Sequence, residues 1–406
     1  MKRMISGISA TVTSLFRVWR REFYLVFHDA GVLLFFFFLT LAYPVIYTII
    51  YNQEVIKNIP IAVVDNSRSV SSRELTRMVD ATEGIEVYDY ASDMQEARRM
   101  ENEHKVYGIL EIPRDYDHRI GRGEQGVVVF YSDMSLLLRY RTFLSALADV
   151  QLAAGADIRQ ENISQLGLLA GNMRGLPVEN EAFLLGDPTQ GFASFIMPGV
   201  LVLILQQSML LGVTMLAAGV KERRRRFGGI DPESVSAGAM VTIWGKALCY
   251  LTLYLPVCVY VLDIVPMMFS LPHIGNIREM FLYIFPMLLA TAFLGQTISV
   301  FVTERESSML VIVFTSVIFL FLSGLTWPRY AMNDLWTWIG NAVPATWGIE
   351  GFIRMNSNGS PLWEQSRPYT MLWALTGIYM VSAYLVARFT LTSRSARRQR
   401  GRVVRQ

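Results

Sequence analysis

Apolar positions along this chain fall into six long runs, and one stands apart from the others. Gly31 to Tyr51 contains no charge and supplies the roughly 20 helical residues needed to cross a hydrocarbon layer about 30 Å thick. Residues 52–190 are mixed in character. Apolar runs then resume at approximately Phe192 to Val220, Ala239 to Leu262, Met280 to Val302, Ser307 to Trp327 and Thr370 to Phe389. Each is long enough for a helix that crosses a bilayer, so six transmembrane helices are predicted. A cleaved leader is disfavoured for the first run because it exceeds the usual apolar core of a signal peptide and no small-x-small site follows.

The segment 52–190 carries a different period. Ile59 to Asp65, Gly84 to Tyr90, Lys105 to Pro113 and Gly126 to Asp133 are short β-rich runs bounded by polar, Gly or Pro residues. Helical signals lie between them. Ser71 with Glu74, and Ser92 with Gln95, have the spacing of a capping box. From Leu136 onward, Tyr140, Phe143, Leu147, Val150 and Ala154 form one helical stripe able to pack on a sheet or on another helix. A folded mixed α/β domain is expected here, with a long helical arm. The first thirty residues form a further pattern: Val12, Leu15, Phe16, Trp19, Phe23, Val26 and Phe27 share a face opposite Arg17, Arg20 and Arg21. A basic amphipathic helix lying in a membrane interface accounts for it.

The expected fold class is therefore an α-helical polytopic membrane protein of six transmembrane helices with an inserted extracytoplasmic mixed α/β domain. The expected division is an interfacial helix over residues 1–30, a first span over 31–51 and a periplasmic domain over 52–190. Five spans over 192–391, with a Trp-rich external loop at 327–369, and a basic tail over 392–406 complete it. Composition agrees: 52% of the 406 residues are hydrophobic and 17% charged, too apolar for an ordinary soluble chain. Charge sets the orientation. With the N-terminus inside, nineteen Lys and Arg residues fall in the short cytoplasmic pieces and four in the short outer loops. Both termini are then cytoplasmic.

Candidate chemistry is sparse. Cys249 and Cys258 fall in one span, and nine helical residues turn them to opposite sides, so they cannot pair with each other. No zinc motif, metal site or resident cofactor is expected, and the four scattered histidines argue against an enzyme. The predicted spans hold no charge near their centres, which removes the titratable groups of proton-coupled transport. Uncharged polar groups occur instead. Gln206, Gln207 and Thr214 in the second span and Gln296 in the fourth either bond neighbouring helices or line a weakly polar path. No phosphate-cradling loop is encoded, since Gly238 to Ala247 has the wrong glycine spacing, so ATP and Mg would be bound by another polypeptide.

The longest inner loop carries Lys221 and Arg223, Arg224, Arg225 and Arg226, then Asp231, Pro232 and Glu233 with the character of a helix start. The arginines obey the positive-inside rule and attract anionic lipid, or they flank a docking helix for a partner. Outside, five of the eight tryptophans lie between Trp327 and Trp363. They form a plain aromatic belt or a lid over an exit path, with Gly324, Trp327, Pro328, Trp336 and Trp347 as candidate gate residues.

The order of one span, an external α/β domain and five further spans resembles the permease subunit of type-2 ABC exporters with a large periplasmic domain, a multidrug-efflux-like branch. The resemblance covers nearly the whole chain. It is carried by YPVIYTIIY at the end of the first span, IPIAVVDNSRSVSSREL, YGILEIPRDYDHRIGRGE with the following VVVFYSD, and FLSGLTWPRYAMNDLWTWIGNAVPATWGIEGF after the fifth. It implies a transporter of two permeases, as homodimer or heterodimer, with cytoplasmic ATP-binding subunits in a bacterial inner membrane. Hydrophobic or amphipathic cargo is implied too, with a periplasmic adaptor and an outer-membrane channel as further partners and no nucleic acid. Lys221 to Val235 departs from the family's Arg-Glu-x-Gly-Thr-x-Glu stretch, so location alone suggests Asp231 to Val235 as the coupling contact. The other reading is a membrane-anchored receptor or assembly scaffold, with Asp65 and Asp133 at the ends of two strands.

Overall fold

The computed structural model describes residues 2–51, 56–122, 124–132, 137–165, 191–227, 237–271 and 273–403. The chain is mostly helical and divides into two compact units, Gln53–Phe183 and the combination of Met1–Asn52 with Leu184–Gln406.

The smaller unit is built on a four-stranded sheet of β1 (Ile59–Asp65), β2 (Ile85–Tyr90), β3 (Gly108–Ile112) and β4 (Val129–Ser132), in the order β2-β1-β3-β4. β1 pairs in parallel with β2 and β3, and β4 closes the far edge antiparallel to β3. The alternation of β1 divides its side chains between two layers. Ile59, Ile61 and Val63 pack with Leu75 and Val79 of helix Val70–Asp80 and with Phe143 and Val150 of the long helix Leu137–Gln165. Ala62 and Val64 pack on the other face with Ala97 of helix Met94–Asn102. The long helical stripe therefore packs on the sheet.

Both helix starts differ from the sequence expectation. Ser69, not Ser71, caps the first helix, with Ser72 reaching back to the Ser69 amide as the reciprocal partner. A serine hydroxyl closes the box in place of Glu74, and Ser71 instead donates to Asp117. Asp93 caps the second, and Glu96 returns to the amide and hydroxyl of Ser92. The Asp65 carboxylate is occupied by its own turn, accepting from the Ser67 and Arg68 amides and from Ser72. Asp133 lies outside the described residues.

Among its described residues the larger unit contains six helices long and apolar enough to cross a membrane: Ala30–Tyr51, Phe192–Arg226, Ala239–Met268, Ile277–Ile298, Arg305–Leu322 and Leu362–Thr390. The second is its axis, with an apolar window 83% buried inside the unit. The third runs past its expected end at Leu262 because a π-turn at Tyr260–Ile264 carries the helix through Asp263 to Met268. In the first helix a π-turn over Leu34–Leu39 aims Phe36 at the second. There Gly212 leaves a notch, and a Cβ would meet the Phe36 ring at 1.8 Å. Tyr51 and Phe192, the facing ends of the first and second helices, bring their rings to 5.3 Å.

The N-terminal helix Lys2–Phe27 packs along the third apolar helix. Its buried face is Val18, Glu22, Leu25 and Val26, while Val12, Phe16 and Phe27 are exposed. This face is rotated from the expected stripe because Glu22, an acid within it, finds partners on the neighbouring helix. The helix is thus both packed on the bundle and apolar on its outer side.

Filling the Gly212 notch should undock the first apolar helix. Gly212→Val is expected to cost about 3 kcal/mol of stability, as overpacking against an aromatic ring does, and Phe36→Ala in the same chain should recover part of it. Thermal unfolding of the purified variants in detergent measures both.

Candidate functional site

The residues with chemistry lie in the larger unit at three levels. At the end of the bundle that carries the arginine run, two adjacent residues of the second apolar helix hold both sides of a tight turn. Lys221 Nζ donates to the carbonyls of Ser299, Val300 and Val302 at 2.6, 3.0 and 2.6 Å, satisfying acceptors that the fourth helix and its turn leave open. Glu222 accepts from the amide of Arg305 at 3.0 Å, placing negative charge at the start of the fifth helix. The Arg305 side chain lies across Gly219 and reaches Asp29 at 2.8 Å and Glu222 at 3.4 Å. Asp29 also caps the first helix through the amide of Val32. Three apolar helices and the 299–304 turn therefore meet in one ionic cluster.

A second contact ties the N-terminal helix to the same end. The buried Glu22 carboxylate accepts from Lys246 at 3.0 Å and from the Tyr250 hydroxyl at 2.5 Å, while Trp19 Nε1 donates to Thr252 at 3.1 Å. Burial pushes the Glu22 carboxyl up, but Lys246, the Tyr250 hydroxyl and Arg21 outweigh it and hold it below its ordinary value.

Of the arginine run, Arg225 faces Glu304 at 3.4 Å, Arg224 lines a cavity, and Arg223 and Arg226 complete the last turn of the second helix. Asp231, Pro232 and Glu233 lie outside the described residues.

The four polar candidates of the second and fourth apolar helices do not converge. Gln206 is fully buried and accepts from the amide of Ala345 at 2.6 Å, while its own Nε2 has no partner among the described residues. Gln207 beside it has neither amide atom bonded among those residues. Thr214 is buried and returns its hydroxyl to Leu210 and Leu211 of its own helix. Gln296 donates to Ile243 and Ala292, both at 3.3 Å, at the cavity near the basic end. Tyr254, which the sequence does not single out, donates to Ser208, a further polar residue of the second helix, at 3.0 Å.

The far end holds the tryptophan segment, which folds as a helical hairpin. Helix Asp334–Asn341 runs into helix Pro344–Asn358, most of whose side chains are buried. The second of these helices lies beside the second apolar helix: Ala345 meets Gln206, Gly348 lies against Val202, and Ile349 lies at Gly199. Gln206 is fourteen residues into its helix, about 21 Å along it, so the hairpin begins deep. Trp347 is 4% exposed and donates to Asn341 at 3.0 Å, whereas Trp327, Trp336, Trp338 and Trp363 are exposed. The aromatic candidates therefore separate into one anchor and a set of surface indoles.

Gly324, with φ of +88°, turns the chain after the fifth helix, and its missing Cβ leaves room for the stem of Arg329. After Pro328, Arg329 pairs with Glu350 at 2.8 Å, bonds Asn341 and stacks 4.5 Å above the Trp347 ring. This clasp was not read from sequence, although a lone Arg and a lone Glu among apolar residues are its signal. Close by, His273 bonds Asn356 at 2.7 Å and faces Asp263 at 3.5 Å. Among the described residues no group of three His, Cys, Asp or Glu side chains could hold a metal ion.

A family model described as ABC-2 family transporter protein matches residues 30–385. No curated protein matches the chain.

Two outcomes are expected from the ionic contacts. Arg305→Ala should destabilise the bundle by about 2 kcal/mol, less than a fully buried pair because Arg305 is 37% exposed. The contribution of Glu22 should be complete above its ordinary value of 4.5 and be lost as pH falls through its lower folded value. Melting curves across this window should flatten in Glu22→Gln.

Proposed function

We propose, because this chain belongs to the ABC-2 transporter family as a membrane-embedded permease, that it exports hydrophobic or amphipathic compounds. The family's ATPase resides on a separate subunit, so this chain partners an ATP-binding polypeptide and hydrolyses nothing itself.

In the proposed arrangement the six apolar helices all cross a bacterial inner membrane and both termini are cytoplasmic. The sheet unit is periplasmic, as in the multidrug-efflux-like branch, and available to an adaptor and an outer-membrane channel. A second permease completes the transporter. Support for this orientation is the excess of Lys and Arg at one end of the apolar helices. Support for a second permease is the fifth apolar helix, whose window is only 17% buried, with Leu310, Phe314, Val317 and Phe321 exposed.

The observation that carries the reading is the junction formed by Lys221 and Glu222. These residues directly precede the arginine run and the loop that holds Asp231, Pro232 and Glu233, the proposed contact with the ATPase. Force applied to that loop reaches the fourth helix through Lys221, the fifth through Glu222 and the first through Arg305 and Asp29. Cargo of low charge suits a bundle whose buried polar groups include the uncharged amides of Gln206 and Gln207. The hairpin carrying Trp347, with Trp327 and Trp336 at its rim, then forms the outer gate.

Co-expression with the ATP-binding subunit should give a complex that hydrolyses ATP, and inverted membrane vesicles should accumulate an amphipathic dye when ATP is added. Absence of any association would leave a receptor or scaffold. Lys221→Met with Glu222→Gln should keep the complex and its hydrolysis while lowering dye transport about tenfold, the scale of a lost coupling between sites.

A further inference from the structure

Asp263 and His273 form a pair that the ionic junction of Lys221 and Glu222 does not use. Asp263 sits in the π-turn Tyr260–Ile264 of the third apolar helix, and such turns inside α-helices recur at functional positions. Its side chain is 15% exposed, and its Oδ1 accepts no hydrogen bond among the described residues. His273, 12% exposed, lies in the connection to the fourth helix with Nε2 3.5 Å from that oxygen. On the other side of the ring, Nδ1 is 2.7 Å from Oδ1 of Asn356, near the end of the hairpin helix Pro344–Asn358. The same connection is clipped to that helix end by its backbone. Ile274 donates to the Asn356 carbonyl at 3.0 Å, and a Cβ on Gly275 would meet the Met355 carbonyl oxygen at 2.2 Å.

The imidazole therefore stands between two oxygen acceptors. A neutral ring has one N–H, and with that N–H on Nδ1, donated to Asn356, the lone pair of Nε2 is turned toward a carboxylate. Two electron-rich atoms then face each other in a poorly hydrated place. One proton taken from water onto Nε2 turns the same contact into an ion pair with Asp263 Oδ1, while the Nδ1–H bond to Asn356 stays as it is. Imidazole is the side chain whose charge ordinarily changes between about pH 5 and 8. The other titratable groups of the surrounding elements are engaged elsewhere. Glu350 of the hairpin helix pairs with Arg329 and Arg354, Glu279 of the fourth helix accepts from the amide of Leu362, and the Tyr260 hydroxyl donates to Leu41. Arg278, at the start of the fourth helix, is exposed. Among the described residues, Asp263 is the carboxylate within ion-pair reach of His273.

We propose that His273 is a proton-operated clasp: a proton taken up at Nε2 joins the third apolar helix, through Asp263, to the end of the hairpin helix, through Asn356, and its loss releases them. The consequence rests on the reading of the hairpin as an outer gate, and it is that acid on the outer side holds the gate in place.

The clasp is tested on the full chain in detergent by thermal unfolding at pH 5.5 and pH 8.0. Asp263→Asn removes the charge and offers an amide N–H to a bare Nε2. Wild type should melt about 2 °C above this variant at pH 5.5, and the difference should vanish or reverse at pH 8.0. His273→Gln keeps a donor for Asn356 and cannot titrate, so wild type should gain on it by a similar margin as pH falls. Differences that are the same at both pH values would overturn the clasp. They would mean that the Asn356 amide is turned to donate to Nδ1, leaving Nε2–H for Asp263 without any change of charge. If the variants fail to fold, hydrogen exchange at the wild-type Ile274 amide decides: protection, corrected for the intrinsic rate, should be about fivefold greater at pH 5.5, and equal protection overturns the proposal. Stabilisation by zinc at pH 8.0 that needs both side chains, with no gain from acid in the presence of EDTA, would assign the pair to a metal ion and overturn the proton. For the gate, inverted vesicles with an interior at pH 5.5 should take up a non-titrating amphipathic dye about fivefold more slowly than vesicles at pH 8.0, and His273→Gln should be indifferent to that change. Equal uptake by wild type at both would overturn the role at the gate. Absence of uptake at both would count against the exporter reading alone, because melting decides the clasp without it.

Discussion

A backbone amide placed in hydrocarbon without an acceptor costs several kcal/mol, and a helix that starts inside a membrane has several to place. The hairpin helix Pro344–Asn358 meets this constraint residue by residue. Pro344 has no N–H to satisfy, Ala345 donates to the side chain of Gln206, and Thr346 donates back to Val343. Without the glutamine, a buried donor at the head of the helix would be stranded. With it, the hairpin can fill the space beside the second, fourth and sixth apolar helices, where Gly348 and Gly351 let Met287 and Tyr283 come close. A residue that looks from sequence like a lining of a polar path is therefore, in this chain, first a helix cap supplied from 139 positions away.

The charges obey the same economy. Among the described residues they gather at the two ends of the bundle and are absent from the contacts between. At one end Asp29, Glu222 and Arg305 bind three helices, and at the other Arg329, Glu350 and the Trp347 ring hold the hairpin. Between them lie aromatic and aliphatic contacts such as Phe36 on Tyr254 and the buried Tyr283. Apolar packing has no strong directional preference, so it permits small sliding of helices, while the ionic ends have discrete arrangements. This division of labour suits a transporter that must change shape without letting ions through.

How much of this could be read in the chain depended on distance along it. Strand β1 is visible because its alternation is local, and the six apolar helices because length and composition are local too. The caps at Ser69 and Asp93 were displaced by a residue or two because several serines and acids compete for each helix start. The buried face of the N-terminal helix is not legible locally for a longer-range reason: Glu22 is paired with residues more than two hundred positions away. The tryptophan segment carried its signals openly, with Pro344 at a helix start and Gly359 in a left-handed C-cap. Local sequence alone still points to a loop, because the buried environment that makes the helix worth forming comes from other helices. Of the site candidates, Thr214 is spent within its own helix, whereas Lys221 and Glu222 were visible only as part of a basic run.

The paired rings of Tyr51 and Phe192 bear on how the larger unit is built. They bring the ends of the first and second apolar helices together, although residues 52–191 intervene in the sequence. Helices that meet across so long an insertion keep their register whatever its length, so the intervening segment can be lengthened, replaced or removed in the course of evolution with little effect on their packing. The helical unit and the sheet unit are in that sense separately heritable.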